Sequence, residues 1–105
     1  MSYKFFYTFS ILPEKEKDFE TYMDDYGRPL MTEQFIDWEF FKIKDDFTDG
    51  KAPQYLGSYT VNNLTEFLSK EPTAEMLKAM EHIEKLCSNR KEWIMKLTET
   101  NIKRS

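Results

Sequence analysis

Large apolar side chains occupy both phases of every strand-like segment in this chain, so a sheet built from it cannot turn a clean polar face to water. In Tyr3–Leu12, Phe5, Tyr7, Phe9 and Ile11 fall on one side of an extended backbone, and Lys4, Phe6, Thr8 and Ser10 on the other. Over Phe35–Lys44, Ile36, Trp38 and Phe40 alternate with Asp37, Glu39 and Phe41. Over Gln54–Val61, Tyr55, Gly57, Tyr59 and Val61 alternate with Leu56, Ser58 and Thr60. A half-solvated antiparallel sheet normally alternates between apolar and polar residues. Phe6, Phe41 and Leu56 break that rule on the phase that should be wet.

Between these strands the spacing turns helical. Pro13 suits a first turn, the acidic residues Glu14, Glu16 and Asp18 favour a helix N-terminus, and Phe19, Tyr22, Met23 and Tyr26 follow at helical spacing. Gly27 and Pro29 predict the end of that helix, with a short second piece from Leu30 and Met31. Asp45–Pro53 is a turn-rich connection. Asn62 and Asn63 can cap a short turn over Leu64–Leu68, and Pro72 and Thr73 open a long helix running to about Asn89. Its stripe is Met76, Met80, Ile83 and Cys87, with Leu77 and Leu86 beside it. A last strand is predicted over Glu92–Ile102, with Trp93, Met95 and Leu97 inward and Ile94, Lys96 and Thr98 outward.

Strand, helix, strand, strand, helix, strand is the split βαβ, ferredoxin-like pattern. It gives an α+β domain over residues 1–105, a four-stranded antiparallel sheet with two helices on one face. The uncovered face would then carry Phe6, Phe41, Ile43, Leu56 and Ile94 among Thr8, Ser10, Asp37, Glu39, Ser58, Thr60 and Lys96. Such an apolar patch marks an interaction site. Packing two such faces about a two-fold axis is the simplest cover, so a homodimer is expected.

Composition narrows the function classes. The net charge of −4 disfavours nucleic acid as a partner, since phosphate binding needs a basic face. A single cysteine, Cys87, allows no intrachain disulfide. No charged-then-apolar leader and no apolar run near ~20 residues is present, so a cytoplasmic protein without a membrane span is expected.

The chain resembles the dimeric α+β barrel superfamily over about residues 3–102. The likeness rests on the element order and on Phe35-Ile36-Asp37-Trp38-Glu39-Phe40-Phe41 after a Gly/Pro-broken first helix. It rests also on Tyr55-Leu56-Gly57-Ser58-Tyr59-Thr60-Val61, followed by the Leu64–Leu68 turn, the Ser69-Lys70-Glu71-Pro72 break and the long helix. The resemblance implies a pocket between sheet and helices or inside the barrel. It also implies activities ranging from cofactor-free monooxygenases, isomerases and dehydratases to haem degradation. The haem-degrading branch pairs a helix histidine with a first-strand asparagine and a tryptophan after the third strand. Here His82 stands in the long helix, but the first strand has no asparagine and no tryptophan lies near Asn62 or Asn63.

Glu39 and His82 are therefore the catalytic candidates for proton transfer. Thr8, Glu39, Ser58 and Lys96 are the ligand-binding candidates, as polar groups on the mixed face; Asp37 lies beside them. The structural alternatives are an ion pair at an interface for Glu39 and Lys96, and a solvated or packing role for His82. Asp45, Asp46 and Asp49 with Gly50 lack the spacing and terminal glutamate of a calcium loop, so no metal is expected. No cofactor is expected either. The function this predicts is a homodimer that binds a small, partly apolar molecule. The alternatives are a cofactor-independent monooxygenase or isomerase, and an interaction protein without a ligand.

Overall fold

The computed structural model describes residues 3–96. The expectations for Leu97, for Thr98, for the strand's continuation to Ile102 and for the tail fall outside them. The strands are β1 (Tyr3–Ile11), β2 (Ile36–Lys42), β3 (Tyr55–Val61) and β4 (Cys87–Lys96). They form an antiparallel sheet in the order β2-β3-β1-β4. Helices α1 (Glu16–Tyr22), α2 (Arg28–Gln34), α3 (Leu64–Ser69) and α4 (Ala74–Glu84) complete an α+β, ferredoxin-like fold.

The first helix does not stop at Gly27. A π-helical turn, Met23–Gly27, joins α1 to α2, and Gly27 is itself right-handed at φ −64°. Pro29 lacks an N–H and its ring crowds the preceding turn. A widened turn just before it lets the helix continue. The two caps expected from sequence do form. Asn63 Oδ1 accepts from Glu66 N at 2.9 Å, and Thr73 Oγ1 from Met76 N at 3.2 Å.

Helix α4 ends at Glu84, five residues short of the expected Asn89, and Cys87 is already in β4. Leu86 turns inward to 7% exposure, and its carbonyl accepts from Leu12 N at 2.8 Å. Ser88 and Asn89 are weak helix formers. The pairing of Cys87 and Ser88 against the end of β1 wins over another helical turn.

Two bulges decide which residues share a face. Thr8 pairs with Lys91 while Ser10 pairs with Ser88, so β4 carries one extra residue there, where Asn89 is left-handed at φ 54°. That single insertion reverses the phase of the rest of β4. Phe5 faces Ile94, and Tyr3 faces Lys96 on the helix side, while Phe6 faces Trp93 and Lys4 faces Met95 on the outer side. The expected inward placement of Trp93 and Met95, and outward placement of Ile94 and Lys96, is thus inverted. Trp93 is 47% and Met95 49% exposed. A second insertion lies between Ile36, opposite Thr60, and Glu39, opposite Ser58, where Asp37 takes φ 52°. It puts Ile36 on the outer face and leaves Trp38 and Phe40 packed beside the core.

The core sits at one end of the inner face. Phe19 from α1 is 1% exposed, against Phe9, Tyr55 and Phe40 at ring separations of 5.5, 5.0 and 6.3 Å. Met23, Ile11 and Leu86 close this cluster. An ion pair of 2.8 Å from Lys42 Nζ to Glu16 Oε1 ties α1 to β2 at the surface.

The β4 bulge generates a direct expectation. A left-handed backbone suits Gly or Asn and strains a β-branched residue. Asn89→Gly should leave urea stability nearly unchanged, and Asn89→Val should cost about 1–2 kcal/mol. Equal effects of the two substitutions would contradict the bulge.

Candidate ligand cavity

Beyond the Phe19 cluster, the helical layer stands off the sheet. Neither α2 nor α4 contributes a buried residue. The stripe of α4, Met76, Met80 and Ile83, instead faces a half-open cavity of about 560 Å³. That volume is within the range of small-molecule sites, about 300–1,000 Å³. The floor is the inner sheet face, with Phe5, Tyr7, Phe40 and Tyr59. Met31 and Phe35 form one wall and Phe67 another. The Tyr59 ring is stacked between Phe35, at 4.0 Å, and Phe5, at 5.1 Å.

One glycine shapes the floor. Gly57 lies beside Tyr7 across the β1–β3 pair, and a Cβ there would meet the Tyr7 ring at 2.2 Å. Without that carbon the ring lies flat across β3. Its hydroxyl then reaches β2 and accepts from Trp38 Nε1 at 2.9 Å.

Polar groups gather on the β4 side. Arg90, Glu92, Ser88 and Cys87 all border the cavity. Arg90 Nη2 lies 2.6 Å from Glu92 Oε1, and Nη1 4.0 Å from Glu84 Oε1. Burial pushes the Tyr7 phenol up to about 12, against the opposing pull of the Trp38 hydrogen bond and the Arg90 charge. Burial, followed by the neighbouring Tyr7 and Glu92, holds Tyr59 above its usual range. The Cys87 thiol is pushed up to about 11 by burial, again opposed by Arg90. All three groups are therefore neutral near pH 7, so Cys87 is a poor nucleophile.

The residues singled out from sequence lie elsewhere. Thr8 and Ser58 are buried on the outer face, where Glu39 is exposed and 3.5 Å from Lys4 Nζ. Lys96 is on the opposite phase, so the sheet separates it from the other three. His82 is exposed on α4 and stacks on Tyr22 at 4.2 Å. The two catalytic candidates are therefore on opposite sides of the sheet. The polar residues that do border the cavity on the sheet side, Tyr7, Arg90 and Glu92, were not singled out. The available signal was Gly57, since a glycine inside a strand marks the close approach of another group.

No family model matches the chain, and no curated protein matches it. Solved structures match it over nearly its whole length at low identity. HapK from Hahella chejuensis is similar at a TM-score of 0.71 and 6% identity, covering 98% of this chain and 99% of that one. A dimeric protein of unknown function and ferredoxin-like fold from Bacteroides fragilis is similar at 0.67 and 10%, covering 91% and 96%. SnoaB, a cofactor-independent oxygenase from Streptomyces nogalater, is similar at 0.59 and 13%, covering 97% and 98%. Identities this low establish a shared fold, and the resemblance to dimeric α+β barrel proteins holds at that level.

The Tyr7 environment predicts a pH dependence. The folded chain holds the phenol proton more tightly than the unfolded chain does. The resulting stability is complete below pH of about 10 and is lost as pH rises to about 12, amounting to about 2–3 kcal/mol. Urea midpoints across that range should fall less steeply for Tyr7→Phe than for the parent. Parallel curves would contradict the assignment.

Proposed function

We propose that the protein is a cytoplasmic homodimer that binds a small, partly apolar molecule in the cavity between the sheet and α4. The observation that carries this reading is the cavity itself. A long helix with an apolar stripe and no buried residue is unusual unless something fills the space beneath it. Aromatic walls supply apolar contact, the hydroxyl of Tyr7 supplies a polar group over β3, and the groups of β4 supply a polar edge.

The methionines provide the test. Met23, Met31, Met76 and Met80 line the cavity, whereas Met95 is on the outer face. Titration of methyl-labelled protein with naphthalene should shift cavity methyls saturably and leave Met95 in place. Absence of a saturable shift, or one confined to Met95, would reject the reading.

The homodimer rests on the outer face. Phe6 and Trp93 are cross-strand neighbours there, as are Phe41 and Leu56, with Ile36 and Met95 at the flanks. Four of these six, Ile36, Phe41, Trp93 and Met95, are between 47% and 53% exposed. A patch of this kind is covered economically by a second copy. Sedimentation should give twice the 12.7 kDa chain mass. Trp93→Glu, which buries a charge in the proposed seam, should shift the species to monomer without unfolding it. A parent that sediments as a monomer at micromolar concentration would exclude the dimer.

A cofactor-independent oxygenase or isomerase in the same cavity is the second reading. The specific observation in its favour is Glu92, a carboxylate bordering the cavity opposite Tyr7. Glu39 and His82 do not border the cavity, and of the carboxylates that do, Glu71, Glu84 and Glu92, only Glu92 pairs with Tyr7 in the sheet, so proton abstraction would fall to it.

A further inference from the structure

The Tyr7 hydroxyl is chemically one-sided. The Trp38 indole nitrogen carries a hydrogen and no free lone pair, so in its 2.9 Å contact with Tyr7 it can only donate. The phenol oxygen therefore accepts, and its own proton remains to be donated. The hydrogen bonds among the described residues give that proton no protein acceptor, and Tyr7 borders the cavity. Burial holds the group in its protonated form at every ordinary pH. Gly57 fixes this arrangement, because any side chain there would lift the ring off β3 and break its reach to Trp38.

Charge restricts the ligand from the other direction. The ionisable residues bordering the cavity other than tyrosine and cysteine are Lys70, Arg90, Glu71, Glu84 and Glu92, a net −1. Arg90, the cation on β4, is engaged by Glu92 and approached by Glu84. At the β4 side an anionic ligand would have to compete with Glu92 for Arg90, across a 2.6 Å ion pair. The whole chain, at −4, opposes it further.

We propose that the cavity selects neutral, largely apolar molecules that present a hydrogen-bond-accepting oxygen, read by the Tyr7 O–H. Trp38 and Gly57 are the positioning residues that commit Tyr7 to donating. This rests on the small-molecule reading above and names the chemistry of the ligand.

Three naphthalenes of similar shape provide the test, with affinities read from the cavity methionine methyls. The neutral acceptor 2-acetylnaphthalene should bind about three- to tenfold more tightly than 2-ethylnaphthalene, the range expected for one neutral hydrogen bond. The anion 2-naphthoate should bind more weakly than 2-acetylnaphthalene. In Tyr7→Phe/Trp38→Phe, which removes both donors, the ethyl compound should still bind and the acetyl preference should vanish. That ratio is unaffected by a substitution that merely loosens the cavity, since both ligands would weaken together. Equal affinities of the acetyl and ethyl compounds for the parent would overturn the selectivity and leave the cavity reading intact. So would tighter binding of 2-naphthoate, or an acetyl preference that survives the double substitution. Failure of all three to bind would overturn both. If the double variant does not fold, the parent comparison alone decides.

Discussion

Phe19 is where the helical layer meets the sheet, and much of the architecture follows from its being almost alone in that role. It is the only large side chain among the described residues with less than 2% exposure. Its contacts with Phe9, Tyr55 and Phe40 clamp α1 over one end of the inner face. Burying a phenylalanine contributes about 1.5–3 kcal/mol, and aromatic pairs add about 0.5–1.5 kcal/mol beyond that. No equivalent residue descends from α2 or α4. The inner face is therefore packed at one end and open at the other, and the open end is the cavity.

The same sheet has to solve a second problem on its outer side. The bulges at Asp37 and Asn89 each add one residue, and each moves apolar groups outward: Ile36 in β2, Trp93 and Met95 in β4. In exchange the inner face gains Glu92 and Ile94, and Arg90 borders the cavity beside the inserted residue. The polar edge of the cavity and the apolar patch on the outer face thus share one cause in β4. Removing the bulge would restore simple alternation and take Glu92 out of the cavity, to the outer face.

Element order, most strand boundaries and both caps were legible because they rest on strong local signals. Alternating aromatics mark β1 and β3, and Asn63 and Thr73 stand where caps belong. The helix through Gly27 and the early end of α4 were not, because tertiary contacts overrode local preference: the π turn accommodates Pro29, and Leu86 is drawn into the core. The bulges were the costliest omission. Asn89 and Asp37 tolerate a left-handed backbone, but nothing local demands it of them, and one unseen insertion exchanges the faces of a strand. That is why Lys96 was grouped with Thr8, Glu39 and Ser58, from which the sheet divides it. Tyr7 was correctly placed inward, yet its role depends on contacts with Gly57 and Trp38 that only the paired strands create.

The central claim is that space, and not packed core, lies between α4 and the sheet. Ala79 lies on α4 and borders that space. Alanine and leucine differ little in helix propensity, so Ala79→Leu reports chiefly on what the added carbons meet. Urea denaturation of this variant is the most direct measurement. If the space is there, the larger side chain enters it and stability rises by about 1–2 kcal/mol, at about 0.8 kcal/mol per buried carbon. If α4 is packed on the sheet, overpacking lowers stability by about 1–3 kcal/mol, and the account of the cavity is wrong.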